Sequence, residues 1–486
     1  MFRTRCAPSP TGFLHIGGLK TFFFAYLMAR KNDGKFILRI EDTDQTRKVE
    51  GATEAILRGF EWAGLKLDEG PVVGGPYGPY IQSERFHLYG QYAQQLVDKG
   101  FAYPCFCTSE RLDEMRRIQQ LNKHAPKYDR TCLRLPPEEV ASRIAAGERH
   151  VIRMKVPEGR TITVEDKIKG KVVTSTDEID DQVLLKSDGF PTYHLAVVVD
   201  DHLMEITHVI RADEWLPSTP KHILLYEAFG WEPPVYAHVP PVLAPGGKKK
   251  LSKREGAVSV DEFASLGYLP EAMLNYLVLL GWNPGTTQEI FTMEEMIAQF
   301  TLERCQKAGA VFDVARLDWM NGQYIRKMTP DELTERLVRF WQEYQPESSK
   351  LATESSKLAA CVSEIQPRLT KLADAAAMLE PFFSLPDYDA SLILSEKMKV
   401  TKEVATDVFK AVEERFKAVA EWTKENLQKI LQDLVAEKGY SNGQVFWPVR
   451  AALSGRLTSP GAFEMAYVLG KDETLKRLEG AAKKLT

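Results

Sequence analysis

Three regimes of hydrophobic patterning follow one another along this chain. In the first hundred residues, short apolar runs alternate with helical stretches. The run ending at Ala7 breaks at Pro8, Pro10 and Gly12, and residues 21–29 reopen as an unbroken apolar segment that reads as helix. Residues 35–40 read as a strand that ends directly in Glu41-Asp42-Thr43-Asp44. Apolar side chains three and four apart over residues 51–65 predict an amphipathic helix, residues 68–78 a loop rich in Gly and Pro, and residues 82–99 a further helix ending at Gly100. Between 150 and 186 apolar and polar residues alternate, the period of β-structure, and residues 209–215 form a short strand ending in Arg211. Residues 270–282 and 293–300 return to the helical period. Beyond Asp313 strand-like alternation almost vanishes, and helices punctuated by Pro330, Pro367, Pro381, Pro386, Pro448 and Pro460 predict an all-α C-terminal half in two bundles.

Two polar stretches interrupt this pattern where chemistry is expected. Strand, loop and helix succeed one another around Ser9-Pro10-Thr11-Gly12-Phe13-Leu14-His15-Ile16-Gly17-Gly18. Small residues delivered to a helix N-terminus present backbone N–H groups and the positive end of the helix dipole, which suits phosphate. Gly17 and Gly18 leave room for a ligand against the backbone, and His15 can donate to a phosphate oxygen. Far downstream, after Pro245-Gly246-Gly247, the run Lys248-Lys249-Lys250-Leu251-Ser252-Lys253-Arg254 concentrates cations in a loop; a solvated basic surface is the plain alternative. The acids at 41–44 likewise read either as a helix N-cap or as ligand-binding groups beyond a strand end.

Together, His15-Ile16-Gly17-Gly18 and Lys250-Leu251-Ser252-Lys253-Arg254 resemble the paired His-Ile-Gly-His and Lys-Met-Ser-Lys-Ser signatures of class I aminoacyl-tRNA synthetases. Both depart at the last position, and the glycine in place of the second histidine resembles the glutamyl branch, of bacterial type. The resemblance implies an α/β Rossmann-type nucleotide-binding catalytic domain with an inserted α+β subdomain, followed by all-α C-terminal anticodon-binding domains. The expected division is 1–100 and 187–245 for the two catalytic halves and 101–186 for the acceptor-end-binding insert. A stem-contact domain at 246–328 and anticodon-binding domains at 329–385 and 386–486 complete it. It further implies ATP held by Ser9, His15, Gly17, Gly18, Lys250, Ser252 and Lys253, with His15, Lys250 and Lys253 catalytic. L-glutamate would lie among Arg5, Ala7, Ser9, Glu41, Tyr193 and Arg211. The implied reaction is activation of glutamate with Mg2+ and ATP, then transfer to the 3′ end of tRNA(Glu). Adenylate formation needs alignment and cationic stabilisation of phosphates and no protein nucleophile, which agrees with these residue types.

Arg368 and Arg450 fall where members of this branch place arginines that contact anticodon bases. An arginine at 368 implies an enzyme restricted to tRNA(Glu); the alternative is a form that charges tRNA(Gln) as well. A nucleotidyltransferase outside translation would not need so long a helical C-terminal half, and a catalytically dead tRNA-binding protein would be expected to have lost Lys253 or Glu41.

Composition narrows the remaining readings. With 486 residues, 44% of them hydrophobic, the chain can bury several cores. A net charge of -4 advertises no nucleic-acid partner globally, so tRNA contacts require local basic faces. Apolar runs are too short to span a bilayer, and catalytic-looking sequence begins by Arg3 with no room for a leader, so a cytoplasmic monomer without membrane contact is expected. Six cysteines are too few for a disulfide scaffold. Cys105, Cys107 and Cys132 can supply three thiolates to structural Zn2+, or stand as buried thiols without metal. The fourth ligand, Tyr128, comes from the resemblance, through a Cys-x-Cys…Tyr-x-x-x-Cys pattern seen in some members.

Overall fold

The computed structural model describes residues 1–44, 47, 49–252 and 259–485, apart from the side chains of 353–356. It divides into two compact units, Met1–Phe263 with Met273–Asp313, and Ala264–Ala272 with Val314–Thr486.

The first unit opens with β1 (Arg3–Cys6), α1 (Ile16–Lys31), β2 (Lys35–Leu38), α2 (Ala52–Trp62) and α3 (Phe86–Asp98). A mainly antiparallel section follows: β3 (Ala102–Cys105), α4 (Ser109–Leu121), α5 (Pro137–Ala145), β4 (Val151–Met154), β5 (Thr161–Asp166), β6 (Gly170–Ser175) and β7 (Val183–Leu185). The parallel pattern resumes with α6 (Tyr193–Leu203), β8 (His208–Ala212), α7 (Thr219–Phe229) and β9 (Val235–Val239), and then β10 (Val242–Leu243), α8 (Val260–Ser265), α9 (Pro270–Leu279), α10 (Met293–Gln299) and β11 (Ala310–Val311).

The central sheet has the order β2-β1-β8-β9, all parallel, so the chain leaves β1 in one direction to β2 and later returns to its other side through β8. Such a reversal opens a crevice beyond the carboxyl ends of the strands, where open α/β sheets bind ligands. Arg39 and Glu41 follow β2, Ala7 and Ser9 follow β1, Arg211 is the penultimate residue of β8, and Pro240 follows β9. The alternation predicted for 150–186 resolves into the three-stranded sheet β3-β4-β7 and the separate β5–β6 hairpin.

Two local readings are corrected. Gly17 and Gly18 are not loop: α1 begins at Ile16, with His15 as its N-cap. The side chain of His15 closes the first turn, which outweighs the weak helix propensity of the glycine pair. The strand expected over 209–215 ends at Ala212, and Asp213–Ser218 turn into a short 3-10 helix.

The second unit is all helix: α11 (Val314–Lys327), α12 (Pro330–Tyr344), α13 (Ser355–Ile365), α14 (Ala375–Phe383), α15 (Lys402–Ala418), α16 (Lys424–Lys438), α17 (Asn442–Ser454), α18 (Ala462–Leu469) and α19 (Lys471–Leu485). One continuous apolar cluster runs through it, from Leu333 and Trp341 to Met465 and Leu485. Pro330 starts α12 behind a Thr329 capping box, as a first-turn proline should. Pro381 and Pro448, read as breaks, lie inside α14 and α17. Each forfeits a helical N–H bond, and each is buried in the cluster, where packing offsets the loss. Among the described residues no helix is long and apolar enough to cross a membrane.

Candidate active site

A cavity of about 1020 Å3 lies at the carboxyl ends of the parallel strands. Every substrate residue expected from the sequence lines it, with one exception: Arg5, Ala7, Ser9 and Glu41, His15, Gly17 and Gly18, Tyr193 and Arg211, Lys250 and Ser252. The exception, Lys253, lies outside the described residues.

On the nucleotide side, His15 Nδ1 accepts the N–H of Gly17 at 3.0 Å. An accepting Nδ1 places the proton of a neutral ring on Nε2, the form that can donate to a phosphate oxygen. A side chain on Gly17 would bring its Cβ to 3.3 Å from that Nδ1 and strain the cap. Lys250 pairs with Glu214 at 2.6 Å, both side chains more than half exposed, so the pair contributes little and can be exchanged.

The amino-acid side is buried and densely charged. Arg5 grips Asp201 through Nε and Nη2 at 3.1 and 3.3 Å. Arg39 reaches Asp201 at 2.8 Å and Glu41 Oε1 from Nε and Nη2 at 3.3 and 2.8 Å. Burial raises Glu41 above the usual carboxylate range against the pull of Arg39. For Asp201, burial is outweighed by Arg5 and Arg39, and the carboxylate is held below its ordinary value.

Arg211 differs from both. Nε donates to His238 Nε2 at 3.0 Å; Nη1 reaches the Tyr193 hydroxyl at 3.0 Å and His222 Nδ1 at 3.4 Å; Nη2 reaches Trp215 O at 3.3 Å and Thr219 Oγ1 at 2.9 Å. Burial, and then the nearby Arg211 cation, keep the His222 imidazole well below its usual value. Arg211 is only 6% exposed, every one of its N–H groups is held, and among the described residues it has no carboxylate partner. Tyr193 stacks beside Trp215 with ring centroids 4.3 Å apart. Its hydroxyl accepts from Arg211 and is left with a proton to donate.

Sequence reading named Arg5, Glu41, Tyr193 and Arg211, and missed Arg39, Asp201, Thr219, His222 and His238. Arg39 had a local signal, two residues before Glu41 at a strand end. The histidines had none, because neighbouring strands and helices bring them together.

A second cluster sits in the β3–β4 section. Cys105, Cys107 and Cys132 place their sulfur atoms within 4.8 Å of one another. The Tyr128 hydroxyl lies 3.3 Å from Cys105 Sγ and 3.2 Å from Cys107 Sγ. Ligands about 2.3 Å from a tetrahedral zinc stand roughly 3.5–3.8 Å apart, so this donor set fits Zn2+ with little movement. Arg111 approaches Cys107 Sγ at 3.4 Å, and Arg153 covers the Tyr128 ring at 4.2 Å, two cations against an anionic cluster. A hydrogen bond from Cys132 does most to lower the Cys105 thiol, the same contact does most to raise Cys132, and burial does most to raise Tyr128.

In the helical unit, Arg368 Nη1 donates to Glu364 O at 3.3 Å and Nη2 stands 3.8 Å from Glu464 Oε1. Arg450 lies 4.6 Å over the Trp447 ring and donates to Ser459 Oγ at 3.2 Å. Burial, and then the neighbouring Arg368 cation, lower the Arg450 guanidinium. The two arginines singled out in the sequence therefore lie near enough for the charge of one to act on the other.

Residues 1–319 match the catalytic domain of class I tRNA synthetases for E and Q, and residues 332–482 match an anticodon binding domain. Glutamate–tRNA ligases of Clostridium kluyveri and Clostridium novyi are 45% and 46% identical to this chain over 484 residues, 99% of this chain and 98% of theirs. The crystal structure of a glutamate tRNA ligase from Elizabethkingia meningosepticum, in complex with its amino acid, superposes with a TM-score of 0.88 at 37% identity over 100% of both chains. With this geometry, and with likeness along its whole length, the chain belongs to the glutamate–tRNA ligases, a family of class I aminoacyl-tRNA synthetases.

Proposed function

We propose that the crevice activates L-glutamate with ATP and transfers it to the 3′ end of tRNA(Glu), and that the chain discriminates against tRNA(Gln). One observation carries the amino-acid assignment: Arg211 is a buried cation whose N–H groups are all held by uncharged acceptors. Its charge is therefore oriented and uncompensated, a receptor for one anion. The γ-carboxylate of glutamate meets that charge and the proton of Tyr193. Glutamine brings a neutral amide, which would leave that buried charge unanswered. Arg39 ties up Oε1 of Glu41 and leaves Oε2 for the substrate ammonium.

Chemistry then needs alignment. The substrate α-carboxylate attacks the α-phosphorus of ATP, pyrophosphate leaves, and a ribose hydroxyl of the tRNA later displaces AMP from the acyl carbon. His15 Nε2–H and the first turn of α1 hold phosphate oxygens. Lys250 exchanges Glu214 for phosphate, and Lys253, three positions on in the sequence, adds charge. Mg2+ arrives with ATP and screens its phosphates.

Zn2+ in the Cys105, Cys107, Tyr128 and Cys132 cluster would act as a structural cross-link between β3 and the turn at Cys132. Arg111 and Arg153 stabilise the deprotonated ligands. The division into catalytic halves (1–100, 187–245), insert (101–186), stem-contact (246–328) and anticodon domains (329–385, 386–486) belongs to the same reading. Aminoacylation with glutamate and with glutamine, each on tRNA(Glu) and tRNA(Gln), tests the whole. Glutamate on tRNA(Glu) alone is expected; charging of glutamine would overturn the pocket assignment.

A further inference from the structure

Arg211 and His238 are register partners on the adjacent parallel strands β8 and β9, and both are buried. The pairing continues past the sheet. His238 Nδ1 lies 2.6 Å from Asp166 Oδ2, and Asp166 is the last residue of β5, in the separate hairpin. The other oxygen, Oδ1, accepts the backbone N–H of Ile168, Lys169 and His238 at 2.9, 2.7 and 3.2 Å. The same turn is tied to the end of β8 a second time, through Lys169 Nζ and Asp213 Oδ2 at 2.8 Å.

These contacts determine a proton position. Arginine only donates, so His238 Nε2 must be a lone pair where Arg211 Nε meets it. The ring proton is then on Nδ1, facing a carboxylate that only accepts. We propose that Asp166 and His238 are positioning residues for the amino-acid pocket: Asp166 locks His238 in the Nδ1–H tautomer, and that tautomer fixes the guanidinium of Arg211 toward the substrate side chain. The hairpin thereby sets the geometry of glutamate binding while touching no substrate. This inference rests on the reading of Arg211 as the side-chain-carboxylate receptor.

Asp166→Asn separates this from a purely structural role. Three backbone N–H groups converge on Oδ1, so the amide oxygen must stay there and the NH2 replaces Oδ2. His238 is then driven to the Nε2–H form, which sets donor against donor at Arg211. With tRNA(Glu) present, KM for glutamate is expected to rise about tenfold or more, with KM for ATP within about twofold of wild type. His238→Ala, which removes the acceptor, should raise the glutamate KM likewise, and His238→Gln, whose carbonyl meets Arg211 while its amide N–H meets Asp166, should return it to within about threefold of wild type. Equal shifts in both substrates, or no recovery in His238→Gln relative to His238→Ala, would overturn the relay. The wild-type protein gives a test independent of variant folding. With 15N-labelled histidine and assignment by His238→Gln, the His238 resonances should report Nδ1–H at neutral pH; an Nε2–H ring or an imidazolium would overturn the proposal. A wild type that does not charge glutamate overturns the pocket reading and the relay with it. One that does, with Asp166→Asn unchanged, overturns the relay alone.

Discussion

Arg211 in the catalytic unit and the pair Arg368 and Arg450 in the helical unit both hold positive charge that no carboxylate fully answers, by opposite means. Arg211 is buried, and its N–H groups are spent on neutral acceptors that leave it one orientation. Arg368 has a side chain 45% exposed and one distant acid, and Arg450 is braced by an indole and a hydroxyl. A buried, oriented cation suits a single small carboxylate whose position must be fixed within a fraction of an ångström. A partly exposed pair suits a larger partner that brings its own surface and excludes water on arrival. The proposed substrate pocket of one unit and the proposed anticodon face of the other thus draw on the same residue type by opposite means.

Removing the oriented charge should have the largest effect. Arg211→Ala is expected to lower kcat/KM for glutamate by about 1000-fold or more, since an unpaired buried charge costs several kcal/mol in order of magnitude. KM for ATP should hardly move. Pyrophosphate exchange with tRNA(Glu) present measures both, and equal effects on the two substrates would contradict the pocket. Lys253→Ala tests a cation used mainly as pyrophosphate leaves; activation should fall about 100-fold with folding intact. Exchange at wild-type rates would remove Lys253 from the mechanism.

Arg111 and Arg153 make a third case, set against Cys107 and the Tyr128 ring of the cysteine cluster. Metal analysis of protein purified without chelator should give about one zinc per chain, and Cys105→Ser should lose most of it and melt earlier. Substoichiometric zinc in the wild type, or full zinc in the variant, would leave these arginines facing neutral thiols and end the metal assignment.

What could be read in advance followed the range of the forces involved. Strand–loop–helix order around His15, the helical C-terminal half and the two cation-bearing stretches are local, because hydrophobic period and turn residues act within a few positions. Boundaries moved where a side chain supplied a cap, as His15 does for α1, or where burial overrode a breaker, as at Pro448. The charge partners of the pocket are non-local. Arg5 meets Asp201 from 196 positions away and His238 meets Asp166 from 72, distances over which patterning carries no information. The residues that line the cavity were legible because a family resemblance supplied the pairing that spacing could not.

The smallest expected effect is also the one that decides partner choice. Arg368 follows a short turn at the end of α13, and Arg450 projects from α17, so two elements hold like charges close together. Burial and then the Arg368 cation lower the Arg450 guanidinium, and an electronegative base edge bound there would offset that repulsion. A forked donor distinguishes bases at roughly 1–3 kcal/mol for a good bidentate contact, about a tenfold or larger preference. Arg368→Gln removes the fork while keeping a polar side chain of similar reach. It is expected to leave glutamate activation unchanged, lower charging of tRNA(Glu) modestly, and narrow the preference over tRNA(Gln) by about tenfold. Arg450→Gln should act in the same direction, and the two substitutions should be less than additive if both arginines address one base. Comparable wild-type charging of the two tRNAs would end the claim of discrimination. A variant with unchanged preference would end only the role of Arg368, and would recast the pair as a general phosphate contact, whose signature is a steep dependence on salt.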